Sequence, residues 1–283
     1  MICTFLNLLG PSLVGKAETF AIGLVVISLL VFSAMGFNHV DFKSYRMAGG
    51  SLEGIAIAAG ILYINFQGFG VVTNSSSAMK SPQKELPLSM FAALILVTIA
   101  YLAVSMAVVL LIPLDVMQLD NGHVLADAAK IVAGKFGFIV ISISALLACA
   151  AAVNATIFAA SNIAADLAEK HEVSSALGNS VLKSNLHALT VSSLGVIVLA
   201  LIFPLSEVGQ MASLAFLLVY AVITYGHIRV HKHTGANPKI LWCAIAINLS
   251  LFTALLINTI KTAPSSAIAL LVALVASFGL EAI

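Results

Sequence analysis

The chain reads as an all-α membrane protein with about eight transmembrane helices. Three observations carry that reading. Of 283 residues, 61% are apolar and only 9% charged, with a mean hydropathy of +1.10; a soluble domain carries about a quarter charged residues because its surface meets water. Eight apolar stretches lie in the range a helix needs to cross a hydrocarbon core, roughly 20 residues, and the interior of each is free of Asp, Glu, Lys and Arg. Runs such as Ala92–Val97 do not alternate apolar with polar, as the strands of a membrane barrel must.

In chain order the stretches are Phe20–Gly36, Gly54–Asn74, Leu88–Ile112, Phe136–Ala165, Leu186–Phe203, Val208–Gly226, Ile240–Ile260 and Pro264–Leu280. Turn chemistry separates them: Ser81-Pro82 with Pro87, then Pro113, Pro204, Asn237-Pro238 and Pro264. The fourth is longer than a bilayer core requires, which predicts tilt or an extension past the surface toward Asp166–Glu172. Met1–Leu9 is apolar but too short to span, and it reads as the last turns of a helix that begins upstream. No basic region precedes it and no small-residue cleavage site follows, so a signal peptide is not expected.

Several function classes fall away. A net charge of +1 leaves no basic face to neutralise phosphates, so no nucleic-acid partner is expected. Cys3, Cys149 and Cys243 lack paired spacing and read as buried small hydrophobes. His227, His231 and His233 could be metal ligands by type. With Arg229 and Lys232, however, they read as a cytoplasmic basic loop, and no metal or cofactor is expected. Glu53 and Glu207 begin spans, where a carboxylate favours the helix N-terminus. Asn154 and Thr156 either line a cavity or bond a neighbouring helix. No nucleophile–base pair or phosphate-binding glycine loop is present, and an enzyme is not expected.

The second stretch is unusual: Asn65, Phe66, Gln67, Gly68, Phe69 and Gly70 put two amides and two glycines in mid-membrane. Glycine costs about 1 kcal/mol against alanine inside a helix, and a polar side chain in hydrocarbon costs more unless paired. A broken helix answers both costs, because its released backbone groups can line a cavity and bind a small polar substrate. The alternative is close helix packing on the glycines, with the amides as interhelical glue.

A polar exit, a basic loop and a proline restart follow, over Asn74–Pro87. Phe66, Gly68, Phe69, Gly70, Lys80, Pro82 and Pro87 resemble the sixth-helix pattern of the amino acid–polyamine–organocation permeases. Ala155–Gly178 is similar to that family's eighth helix running into a charged helix, and Asn7–Gly36 to its fourth-to-fifth helix junction. The resemblance covers essentially the whole chain and implies the LeuT-like fold, two inverted five-helix repeats with substrate between broken helices one and six. In register the chain matches helices five to twelve, lacking the first four. It would form one transmembrane domain over 1–283, with 1–36 ending the first repeat, 54–226 forming the second and 240–280 peripheral. Two departures stand out. Where many members carry a lysine in helix five in place of a sodium ion, Leu24-Val25 stands here, and the acidic residue after Gly-Phe is Gly70. His187, at a span edge, is the nearest candidate proton carrier.

The resemblance implies secondary active transport of amino acids across the cell membrane by alternating access, with Asn65–Gly70 binding substrate. Two alternatives remain: a truncated or split product that needs a separate chain for the missing helices, and an unrelated polytopic scaffold. Orientation follows from the loop cations. With the N-terminus inside, Lys16, Lys80, Lys84, Lys170, Lys183, Arg229, Lys232 and Lys239 are cytoplasmic, against Lys43, Arg46, Lys130, Lys135 and Lys261 outside. Single reporter cysteines, Gln83→Cys and Gln118→Cys, should then label from the cytoplasmic and external sides respectively. Labelling of the Gln83 position from outside would reverse the topology.

Overall fold

Helix termini in this chain are set by a few caps and breakers. The computed structural model describes residues 11–39, 50–68, 79–113, 123–169 and 186–281. These form α1 (Pro11–His39), α2 (Leu52–Leu62) with a 3-10 turn at Tyr63–Phe66, α3 (Pro82–Leu111), α4 (Val124–Glu169), α5 (Leu186–Ile202), α6 (Leu205–Thr234), α7 (Pro238–Thr262) and α8 (Pro264–Glu281). No strand occurs among the described residues. Ser51 caps α2, its hydroxyl accepting from the Gly54 amide at 3.0 Å. Pro82 and Pro238 occupy first helical positions, where the missing N–H has no intrahelical acceptor anyway.

Each apolar stretch coincides with one helix, with instructive differences. Among the described residues five helices are long and apolar enough to cross a membrane, while Leu52–Phe66, Ser193–Ile202 and Pro264–Val275 are shorter apolar pieces. The expected restart at Pro87 is early by five residues. The helix begins at Pro82 and carries Pro87 inside, where only the bond to the Gln83 carbonyl is lost. The length of α4 comes from two helices merged across Ala133 and Gly134, the latter at φ +61°. The supposed basic loop His227–His233 is in fact helical. Nothing interrupts α6 until Gly235, which ends it in the left-handed conformation at φ +70°. Its cations thus stack on the last turns instead of hanging in solution.

The chain divides into two compact units, one of Met1–Met47, Gly68–Ile163 and Ala188–Ser193, the other of Ala48–Gln67, Ala164–His187 and Leu194–Ile283. In the first, α1 packs on α3 so closely that a Cβ on Gly36 would meet Ala107 Cβ at 3.1 Å. Phe32, Ala107, Ala128 and Ile141 are buried there, and the Ser28 hydroxyl donates to Ser144 Oγ at 2.9 Å. Between α1 and α4 lies a cavity of about 500 Å³ with Leu24, Ile27, Phe32 and Phe136 among its walls; no ionisable side chain lines it. Leu24, of the Leu24-Val25 pair, therefore faces an apolar space.

In the second unit α6, α7 and α8 close around Leu214, Leu217, Leu255 and Leu270. Gly60 lets α2 approach α7, since a Cβ there would lie 3.1 Å from Leu255 Cβ. Polar pairs accompany this packing: Thr259 donates to Gln210 Oε1 at 2.8 Å, and Ser266 donates to the Glu207 carboxylate. Glu207, at the start of α6, thus serves both its own helix and α8.

Most remaining apolar side chains face outward, among them Leu88, Phe91, Ile95 and Leu96 along α3. Surface of that kind belongs in lipid, because a water-soluble monomer rarely exposes apolar patches beyond a few hundred Å². Cys149 and Cys243, expected to be buried, are also exposed. Against acyl chains a thiol is as well accommodated as in a protein core, so apolar sequence context cannot tell the two settings apart. Lipid is as apolar as leucine, so buried contacts here act through packing and cavity terms. Leu255→Ala, at a fully buried position, should lower unfolding stability in micelles by about 2 kcal/mol. Leu271→Ala, on an exposed face, should leave it within about 0.5 kcal/mol. Equal losses at the two positions would show that the α6–α7–α8 cluster is not the core.

Candidate functional site

The α-helical ladder of the second span stops at Leu62. From there Tyr63–Phe66 make a 3-10 turn, with the Tyr63 amide donating to the Gly60 carbonyl and the Gln67 amide to the Ile64 carbonyl at 3.0 Å. Gln67 is extended at φ −75°, ψ 155°, and Gly68 follows at φ +112°. Nothing lies within 4 Å of where a Gly68 Cβ would sit. The requirement for glycine there is conformational, since L side chains rarely adopt that φ. The break expected in Asn65–Gly70 thus falls on Asn65, Phe66, Gln67 and Gly68, which follow one another along a 3-10-to-extended strip. Phe69 and Gly70 lie outside the described residues, as does the Asn74–Ala78 exit.

Shifting from α to 3-10 bonding displaces the donors and acceptors around Ile61–Ile64. One side chain from α6 reconnects them. Ser213, completely buried, accepts the Ile64 amide at 3.1 Å and donates its hydroxyl to the Ile61 carbonyl at 3.0 Å. An unsatisfied backbone group in hydrocarbon costs several kcal/mol, so this hydroxyl stabilises the break itself.

Ser213 shares a face of α6 with Phe216, Leu217 and Tyr220, at spacings of three, four and seven. Tyr220 meets Tyr63 edge-on at 6.4 Å and 69°, and stacks with Phe216 at 6.2 Å and 25°. An aromatic wall therefore flanks the 3-10 turn, and helical spacing of small and aromatic residues in the sixth stretch is the signal that could have found it.

The polar content of the strip is uneven. Asn65 is exposed and Phe66 half-buried. Gln67 donates from Nε2 to the Tyr63 carbonyl at 3.3 Å, while its Oε1 is buried without a hydrogen-bond donor among the described residues. Buried side-chain acceptors are nearly always paired, so this oxygen calls for a donor beyond the described residues. Elsewhere, Asn154 is buried and Thr156 exposed, and the side chain of His187 lies outside the described residues. The arrangement offers a bent backbone, one amide acceptor and an aromatic flank; the described strip holds no nucleophile, acid or base.

Comparison with known proteins agrees with this architecture. The family profile described as amino acid permease matches residues 1–278. An uncharacterized protein of Methanocaldococcus jannaschii is 29% identical over 255 residues, covering 89% of this chain and 59% of its own length. The inner membrane transport protein YbaT of Escherichia coli is 26% identical over 247 residues, covering 85% of this chain and 56% of its own. A methylthioribose transporter of Bacillus subtilis is 28% identical over 124 residues, 44% of this chain and 26% of its own. The chain therefore spans less than two thirds of the relatives it matches best along its length. With the profile match running almost end to end over eight apolar helices, the chain belongs to the amino acid permease family, within the amino acid–polyamine–organocation permeases, and is a multi-pass integral membrane protein.

Proposed function

We propose that this chain is the substrate-holding part of a secondary active transporter of amino acids, working by alternating access at the cell membrane. The observation that carries the reading is the break at Tyr63–Gly68, bonded by Ser213 and bearing a Gln67 Oε1 that has no hydrogen-bond donor among the described residues. A zwitterionic substrate supplies an ammonium donor and a carboxylate acceptor, and a broken helix provides both kinds of backbone partner in one short strip. Asn65–Gly70 is the binding segment in this reading, with Phe66 or Phe69 screening the site. The family description favours amino acids, and the bend needs no ionisable side chain to hold a molecule whose own charges are paired by backbone dipoles.

The relatives extend well beyond the matched region, and the helices that complete the cavity come from that remainder, on this polypeptide or on a separate chain. The 283-residue chain alone in liposomes should show no saturable uptake of labelled amino acids under proton or sodium gradients. Co-expressed with the unmatched portion of the Methanocaldococcus relative, it should transport, and Gly68→Leu should abolish that transport. Saturable uptake by the chain alone would show that one repeat suffices; undiminished uptake by Gly68→Leu would remove the break from the site.

Ser213 separates a site held in shape from one that merely happens to bend. In the assembled transporter Ser213→Ala should raise KM about tenfold, a loss of about 1.4 kcal/mol, with little change in the amount of folded protein. Ser213→Thr keeps the hydroxyl and should recover most of the affinity. Equal KM in all three proteins would detach Ser213 from substrate binding.

A further inference from the structure

The end of α6 and the start of α7 carry a set of cations, without a carboxylate on their own helix pair, one of which sits over an aromatic ring. Tyr225, Arg229 and Lys232 are spaced four and three residues apart, so they lie along one face of α6. The Arg229 guanidinium sits over the Tyr225 ring, 5.4 Å from its centroid. That ring is braced in turn by Trp242 of α7, edge-on at 6.5 Å and 69°. The left-handed Gly235 turns the chain and the Asn237 side chain accepts from the Lys239 amide at 3.0 Å, bringing a further cation to the same end of the helix pair.

Arg229, Lys232 and Lys239 are exposed, as are Tyr225 and Trp242. The sequence has no Asp or Glu between Glu207 and Glu281. Glu207 stands 22 residues before Arg229 along α6, about 33 Å away at 1.5 Å per residue. These cations therefore have no carboxylate on their own helix pair to pair with.

Depth selects the partner. Tyrosine and tryptophan concentrate where headgroups meet acyl chains. One turn below Tyr225, Val222 and Ile223 are 62% and 57% exposed, an apolar surface suited to acyl chains. Above the rings stand the cations, at the height of lipid phosphates. A guanidinium held over an aromatic face loses less freedom on binding and can present its N–H fork to phosphate oxygens. The loop cations put this end on the cytoplasmic side, where anionic lipids are concentrated. We propose that the α6–α7 turn is a binding site for the headgroup of an anionic phospholipid, with Arg229 and Lys232 on the phosphate, Lys239 at its edge, and Tyr225 and Trp242 fixing the depth. Scattered basic residues at a membrane surface would attract anionic lipids only diffusely; the ring-mounted Arg229 makes this a seat for one lipid.

The test uses the chain in nanodiscs of phosphatidylcholine with increasing phosphatidylglycerol, released into the mass spectrometer to count retained lipids. One phosphatidylglycerol should be retained in preference to phosphatidylcholine. The preference should fall about fivefold in Arg229→Gln and again in Lys232→Gln. Tyr225→Leu leaves the charge in place and should weaken retention, while Lys261→Gln, at the far end of α7, should retain lipid like the parent. Thermal midpoints in pure phosphatidylcholine check that each variant is folded; should Arg229→Gln fail to fold, Arg229→Lys, which keeps the charge but not the fork, should still lower the preference. No preference for phosphatidylglycerol, equal retention in the Arg229 and Lys261 variants, or displacement of the lipid by millimolar inorganic phosphate would each overturn the proposal.

Discussion

A backbone inside hydrocarbon has no water to turn to, and this constraint governs the break in α2. Where Tyr63–Phe66 tighten into a 3-10 turn, the backbone leaves the regular α-helical ladder. The Ser213 hydroxyl bonds the backbone at that point, accepting from the Ile64 amide and donating to the Ile61 carbonyl. The tertiary contact between α6 and the turn is thus a condition for the local conformation. Because Ser213 is fully buried beside Leu214 and Leu217, the α6–α7 core holds the hydroxyl in position.

Polar side chains in these helices fall into two groups. Ser33, Thr98, Thr224 and Thr253 each donate to a carbonyl four residues back, and are thereby satisfied within their own helix. Others tie helices together within one unit, as Ser28 does with Ser144 and Thr259 with Gln210. Gln67 differs: its Nε2 donates to the carbonyl four residues back, while its buried Oε1 has no donor among the described residues. That asymmetry sets the broken strip apart from ordinary polar packing, and it is the physical reason for seeking the substrate there.

The apolar cavity beside Leu24 bears on energetics of a different kind. A space without ionisable walls cannot hold a coupling cation by charge, and the described spans have no Asp, Glu, Lys or Arg in mid-membrane to supply one. Charge in the described residues gathers at helix ends.

Composition and patterning alone determined the membrane class, the helical character and the order of the eight described helices, because each depends on a run of neighbours along the chain. Gly68, between two amides and a phenylalanine, also signalled the break, since glycine in mid-span is costly unless the backbone uses its freedom. Helix ends were less legible. Pro87 looked like a restart but is absorbed, and His227–His233 looked like a loop but continue a helix that only Gly235 stops. The tertiary structure decided what no local pattern contains: that Ser213, some 150 residues from the turn, bonds its backbone, and that among the described residues the Gln67 amide is satisfied at one end only. A serine in the middle of an apolar helix usually bonds its own backbone. Whether it reaches across to another helix depends on how closely the two approach, and that distance is a property of the packed fold.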